Sequence, residues 1–235
     1  MLRRMTLFVL AGLTLASLDP SAQKYTAADG HIRVALAKQP FSPTGLSKGP
    51  ATMAEGGIQK TLADIGATIR IQEARLTPEE DKEYGGWKRL GYALGHFADL
   101  VSQNERDGYL TVGLLATCPS MPGLVAGLQR SGPGLDPLRV GMLWLDAHPD
   151  FNTPETTRSG SLGGMPVAVA TGRALQGMRL DAKLDPPLSD RQVVMGGVRL
   201  TDPLEQRLLD ESRIEQLTVD DLRTASAAVF AQLDR

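Results

Sequence analysis

An α/β fold with a mostly parallel sheet is predicted by three features of this sequence. Strand-length apolar runs alternate with helical segments along the whole chain. One run, Val140-Gly141-Met142-Leu143-Trp144-Leu145, is continuously apolar and stops at charged residues. A parallel strand covered by helices on both faces reads this way, which gives a three-layer α/β/α arrangement. Glycines and prolines, 25 and 15 of them, punctuate the runs as turns and close backbone approaches.

The elements follow in order. Ile32–Leu36 reads as a short strand, and Gly45–Pro50 leads into a helix over Ala51–Gly66, with Ile58, Leu62 and Ile65 on one face. Thr68–Gln72 is a second strand. Thr77-Pro78-Glu79-Glu80 reads as an N-cap, a proline at the first helical position and acidic first-turn residues. A longer helix covers about Gly86–Asn104. Tyr109–Leu115 is β-branched and apolar, hence a buried strand, and Gly123–Arg130 a short helix. Val140–Leu145 is the central strand. Pro166–Leu175 is helical, Val193–Val198 a strand, and Leu204–Glu211 and Val219–Leu233 are closing helices, the last opened by Thr218.

Composition bounds the function. Hydrophobic residues make up 42% and charged residues 22%, which excludes a disordered chain and a multi-pass membrane protein. A net charge of −2 gives no basic surface for nucleic acid. The single cysteine excludes an internal disulfide. Met1–Met5 is a cationic start and Thr6–Leu18 an uncharged apolar run, too short to span a bilayer. Ser21-Ala22 follows as a small-residue cleavage point. Residues 1–22 therefore read as a signal peptide, residues 23–235 as one domain, and the mature chain as secreted or periplasmic, with no membrane contact after cleavage.

The chemistry concentrates just after the central strand. Asp146, His148 and Asp150 lie two residues apart, so in extended backbone their side chains share one side. Ligands bind beyond the carboxyl ends of strands in open α/β sheets. Two carboxylates and an imidazole suit a divalent cation, with hard oxygens favouring Mn²⁺. A polar turn that merely caps the next segment is the other reading of these residues.

The wider stretch Asp146-Ala147-His148-Pro149-Asp150-Phe151-Asn152-Thr153-Pro154, then Thr156–Gly160 and Gly164-Met165-Pro166, resembles the arginase/agmatinase (ureohydrolase) family. Gly45-x-x-x-Gly49-Pro50 and Gly196-Gly197-Val198-Arg199 extend the likeness. The resemblance implies an arginase-like α/β fold with a binuclear manganese site. Asp146 bridges both ions in that scheme, while His148 binds one and Asp150 the other. Asn152 and Ser159 hold the polar end of an amino-acid-like substrate. The implied reaction is hydrolysis of a guanidino or amidino C–N bond, with urea or a small amide leaving. Homo-oligomers are also implied.

Three positions depart from the family pattern. Cys118 stands where the earlier metal histidine is expected; it reads either as a soft ligand favouring Zn²⁺ or Fe²⁺, or as a small buried residue. Gly163 replaces a histidine that moves protons. No Ser-x-Asp-x-Asp second metal motif occurs, so the last strands are expected to be missing and one Mn²⁺ rather than two is expected. His31 and His96, the other histidines, read as surface or packing residues. A Ser or Cys nucleophile is disfavoured, since no Gly-x-Ser-x-Gly elbow exists. Two functions follow: a ureohydrolase-like metal enzyme with reduced activity, or a non-catalytic relative that binds a metal, a small amine or a partner chain.

Overall fold

The structure, a computed structural model, describes residues 23–224. The signal-peptide expectation for 1–22 and the end of the expected Val219–Leu233 helix lie outside the described residues. Strands β1 (Arg33–Gln39), β2 (Thr68–Glu73) and β3 (Leu110–Leu115) form one sheet in the order β2-β1-β3. Strands β4 (Met142–Leu145), β5 (Val193–Gly196) and β6 (Glu215–Leu217) form another in the order β4-β5-β6. Every ladder in both is parallel, as the alternation of strands and helices requires.

Helices cover both faces of the first sheet, following the two-residue alternation of β1. Val34 and Leu36 meet Ala54, Ile58 and Leu62 on one face. Ala54 and Ile58 belong to the wide turn Ala54–Ile58, which follows α1 (Gly49–Met53), and Leu62 to α2 (Gln59–Asp64). The expected single helix is broken at Gly56 and Gly57, whose backbone leaves helical angles, with Gly57 at φ 104°; glycine alone takes that angle without strain. Ile65 lies just past the last helical residue, Asp64, with non-helical backbone angles, and is exposed, contrary to the helical-face reading.

On the other face Ala37 meets Phe97 and Val101 of α3 (Gly86–Arg106). Leu90, Ala93, Leu94, Phe97, Ala98 and Val101 form the buried stripe of α3, at three- and four-residue spacing. The larger ones, Leu90, Leu94, Phe97 and Val101, each contribute about 1.5–3 kcal/mol. Helix α4 (Met121–Gln129) lies so close to α3 that a Cβ on Gly123 would come within 2.8 Å of the Leu94 carbonyl oxygen. The Thr77–Glu80 signal gives only the 3-10 turn Glu80–Lys82, though its caps are reciprocal: the Glu80 N–H donates to Thr77 Oγ1 and the Thr77 N–H to Glu80 Oε2. His96 sits 2.7 Å from Glu80 Oε2, and His31 is exposed.

The second sheet alternates likewise. Val193 and Met195 face the main core, and Val194 meets Leu222 of α8 (Val219–Thr224). Among the described residues β4 pairs only with β5, so the run expected to be central is an edge here, with Leu145 61% exposed. The expected Pro166–Leu175 helix closes early as α5 (Pro166–Ala170), because Gly172 turns the chain at φ 78°. Then come α6 (Gln176–Asp181) and, after β5, α7 (Pro203–Asp210). No helix among the described residues is long and apolar enough to cross a membrane.

Candidate metal centre

Two strand ends meet at the site. Thr117 continues the extended path of β3, and the 3-10 turn Cys118–Ser120 follows, with Pro119 fixing its first residues. Ser120 is fully buried and its hydroxyl accepts from Gln39 Nε2 at 2.9 Å, which ties this turn to the end of β1. From the other sheet, β4 ends at Leu145, and the Asp146 N–H donates to the Gly196 carbonyl one residue later. The loop after β4 is then laced to the loop after β5, since Arg199 and Leu200 both donate backbone N–H to Ala147 O.

Cys118, Asp146 and Asp150 each offer one ligand atom within 4.8 Å of the others. Asp150 takes a left-handed backbone, φ 49°, that L-residues seldom adopt. Three neighbours hold it there. The Val167 N–H donates to Asp150 O, the Phe151 N–H donates to Glu205 Oε1 at 2.9 Å, and the Asn152 N–H donates to Gly164 O. Phe151 is fully buried in the core behind the loop.

Negative charge is concentrated at this cluster. Asp150 is 7% exposed, and burial, reinforced by the charge of Asp146, pushes its carboxyl up to about 7. Cys118 is exposed, contrary to the reading as a small buried residue, since its turn lies at the strand ends; local desolvation and the carboxylates of Asp150 and Asp146 raise its thiol. Glu205 is raised as well, chiefly by burial. The two carboxylates and sulfur fit a single divalent cation, which would replace like-charge repulsion with attraction.

His148 is placed differently from its neighbours. Its N–H donates to Asp146 Oδ1 at 3.0 Å and its Nδ1 lies 3.4 Å from the same oxygen, but the ring is 57% exposed and outside the three-donor group. The left-handed turn at Asp150 ends the extended path on which the shared-side expectation depends. Asn152 is buried, with its Oδ1 accepting from Thr156 Oγ1 at 2.9 Å. Ser159 is exposed, and its Oγ accepts from the Ser161 N–H. A Cβ on Gly163 would face Ser161 Oγ at 3.2 Å. Glu205 was not anticipated from sequence as part of this site. Its local signal was Asp202-Pro203-x-Glu205, a reciprocal capping box at the start of α7, but its bond to Phe151 spans 54 residues.

A family model described as the Arginase family matches residues 118–235, from the sulfur donor onward. The chain belongs to the arginase family. It is 31% identical to human mitochondrial arginase-2 over 203 residues, covering 80% of this chain and 56% of that protein. It is 35% identical to the Entamoeba histolytica arginase over 185 residues, covering 76% and 60%. The chain thus spans little more than half the length of these relatives. The solved E. histolytica arginase, in complex with L-ornithine, matches with a TM-score of 0.69 at 23% identity, over 86% of this chain and 70% of that one. The Bacillus caldovelox arginase structure matches with a TM-score of 0.69 at 24% identity, over 86% and 71%. At these identities the structural likeness concerns the fold.

Proposed function

We propose that this chain is a metal-dependent hydrolase of guanidino or amidino C–N bonds, working with one divalent cation at Cys118, Asp146 and Asp150. The observation that carries the reading is the Asp150 carboxylate: buried, beside a second carboxylate and a thiol, with one donor atom of each within 4.8 Å of the others. A bound cation supplies Lewis acidity and makes water nucleophilic near neutral pH; manganese is the ion that family membership implies. The chain's own residues bind and orient. Asp146 and Asp150 would hold the cation from the two ends of one loop. Asn152, its Oδ1 occupied by Thr156, offers Nδ2 to the carboxylate of an amino-acid-like substrate, and the exposed Ser159 hydroxyl offers a second donor. L-ornithine, with which the amoebal relative was solved in complex, is what remains of arginine after its guanidino carbon leaves as urea, so a guanidino amino acid suits this site.

Gly163 favours a second reading, a non-catalytic relative that binds a cation and a small amine, because glycine carries no proton-moving group. Urea release from arginine, agmatine and other guanidino compounds separates the two. The expected result is slow, metal-dependent release, well below about 10 per second, that disappears in Asp146→Ala. Metal binding without any urea release selects the non-catalytic reading. Export through residues 1–22, a single unit over 23–235 and assembly as a homo-oligomer belong to the same proposal. They rest on the cationic and apolar start of the sequence and on family membership.

A further inference from the structure

We infer that Cys118 is a direct metal ligand and that its thiolate makes this site prefer Zn²⁺ or Co²⁺ to Mn²⁺. The inference deepens the proposed function and rests on its metal-binding reading. Geometry supports it first. Donors around a tetrahedral ion with bonds of about 2.0–2.3 Å lie roughly 3.3–3.8 Å apart. Cys118, Asp146 and Asp150 stand within 4.8 Å of one another, so modest side-chain rotation closes the set around one ion.

The support of each donor points the same way. Cys118 is carried by a turn whose next two residues are buried and whose Ser120 is hydrogen-bonded to Gln39. The sulfur therefore sits on a fixed backbone, not on a free loop. Asp150 supplies an independent observation. It is more than nine-tenths buried, its backbone is held left-handed, and no lysine or arginine ion pair among the described residues reaches its carboxylate. A buried carboxylate without a cation is costly, and the donor it faces is the thiol.

The chemistry then selects the ion. On binding, the Cys118 S–H bond breaks, the proton passes to solvent and sulfur donates its electron pair to the cation. Thiolate is a soft donor, and Mn²⁺ stands lowest among first-row divalent ions for a given site. Two carboxylates and a thiolate leave a fourth tetrahedral position open, the pattern of a catalytic zinc site.

Cobalt titration of the whole chain tests this without reference to turnover. Co²⁺ bound at one equivalent is expected to give a near-ultraviolet sulfur-to-cobalt charge-transfer band. Zn²⁺ should erase the band at stoichiometric addition, whereas Mn²⁺ should need an excess on the order of 100-fold. Cys118→Ser should lose the band with its circular dichroism unchanged, and Cys118→His should bind Co²⁺ without the band and narrow the gap between Zn²⁺ and Mn²⁺. Cobalt bound without a charge-transfer band, or displaced by equimolar Mn²⁺, overturns the role of Cys118 and leaves the metal centre standing. Failure of Co²⁺, Zn²⁺ and Mn²⁺ all to bind overturns the inference together with the reading beneath it.

Discussion

The two sheets differ in how they are held. In the first, β1 pairs with β2 over Arg33–Lys38 and with β3 over Val34–Gln39, and helices cover both faces. In the second, β4 meets β5 over only four residues and β5 meets β6 over three. Yet the short sheet carries Asp146 and Asp150 at the end of an exposed edge strand, while the long sheet contributes the sulfur of Cys118. Regular strand pairing stabilises one half; the other packs short strands on the main apolar core and keeps its functional loop through scattered bonds with Glu205, Gly164 and Val167. A cation at the seam would tie together strand ends that share no ladder.

The largest expected effect tests the first half. Phe97→Ala empties a fully buried site between α3 and β1 and is expected to cost about 3–5 kcal/mol in urea unfolding. Leu145→Ala, at the exposed end of β4, is expected to cost less than about 0.5 kcal/mol. Equal losses would break the contrast between the halves. Next comes the cation itself: at a free concentration 100 times its dissociation constant it should add about 2.7 kcal/mol. Asp146→Ala should abolish that gain, read as the shift in thermal midpoint with and without metal.

Glu205→Ala leaves the buried Phe151 N–H without its acceptor and is expected to cost about 1–3 kcal/mol and to weaken metal binding. Glu205→Gln keeps an acceptor and should restore most of the stability. A Gln variant no better than Ala would show that the negative charge, not the hydrogen bond, holds the loop.

A separate test is the pH dependence of the metal-free chain. The Asp150 carboxyl is raised from the ordinary carboxylate value to about 7. Between about pH 4 and pH 7 the unfolded chain has released this proton while the folded chain still holds it, so raising pH favours unfolding. Its contribution is complete below pH 4 and is lost as pH rises through 7. Asp99, Asp107 and Glu73, all lowered, act in the opposite sense on acidification. The comparison is therefore wild type against Asp150→Asn, whose stability should fall less across that window. Parallel curves for the two would remove Asp150 as the buried, cation-seeking group.

Much of the long sheet was legible in the sequence because its signals are local. The continuous apolar run of β1 and the three- and four-residue stripe of α3 need no distant partner to be read. The short sheet was harder. Val140–Leu145 reads as a central strand, but whether a strand is central depends on which others pair with it, and here only β5 does among the described residues. β6 has three residues and leaves almost no periodic signal. At the site, the two-residue spacing placed Asp146 and Asp150 together, but it also placed His148 with them. The left-handed turn at Asp150 was invisible in that spacing. Cys118 could be singled out from its position in the family pattern; its closeness to both carboxylates depends on two strand ends converging.

Titration calorimetry of the purified chain with Zn²⁺, Co²⁺ and Mn²⁺ most directly tests whether one cation joins the two halves. One tight site per chain is expected, absent in Asp146→Ala and weakened in Cys118→Ser, with protons released on binding. Two tight Mn²⁺ sites per chain, or undiminished binding in Asp146→Ala, would contradict a single cation held jointly by Cys118, Asp146 and Asp150.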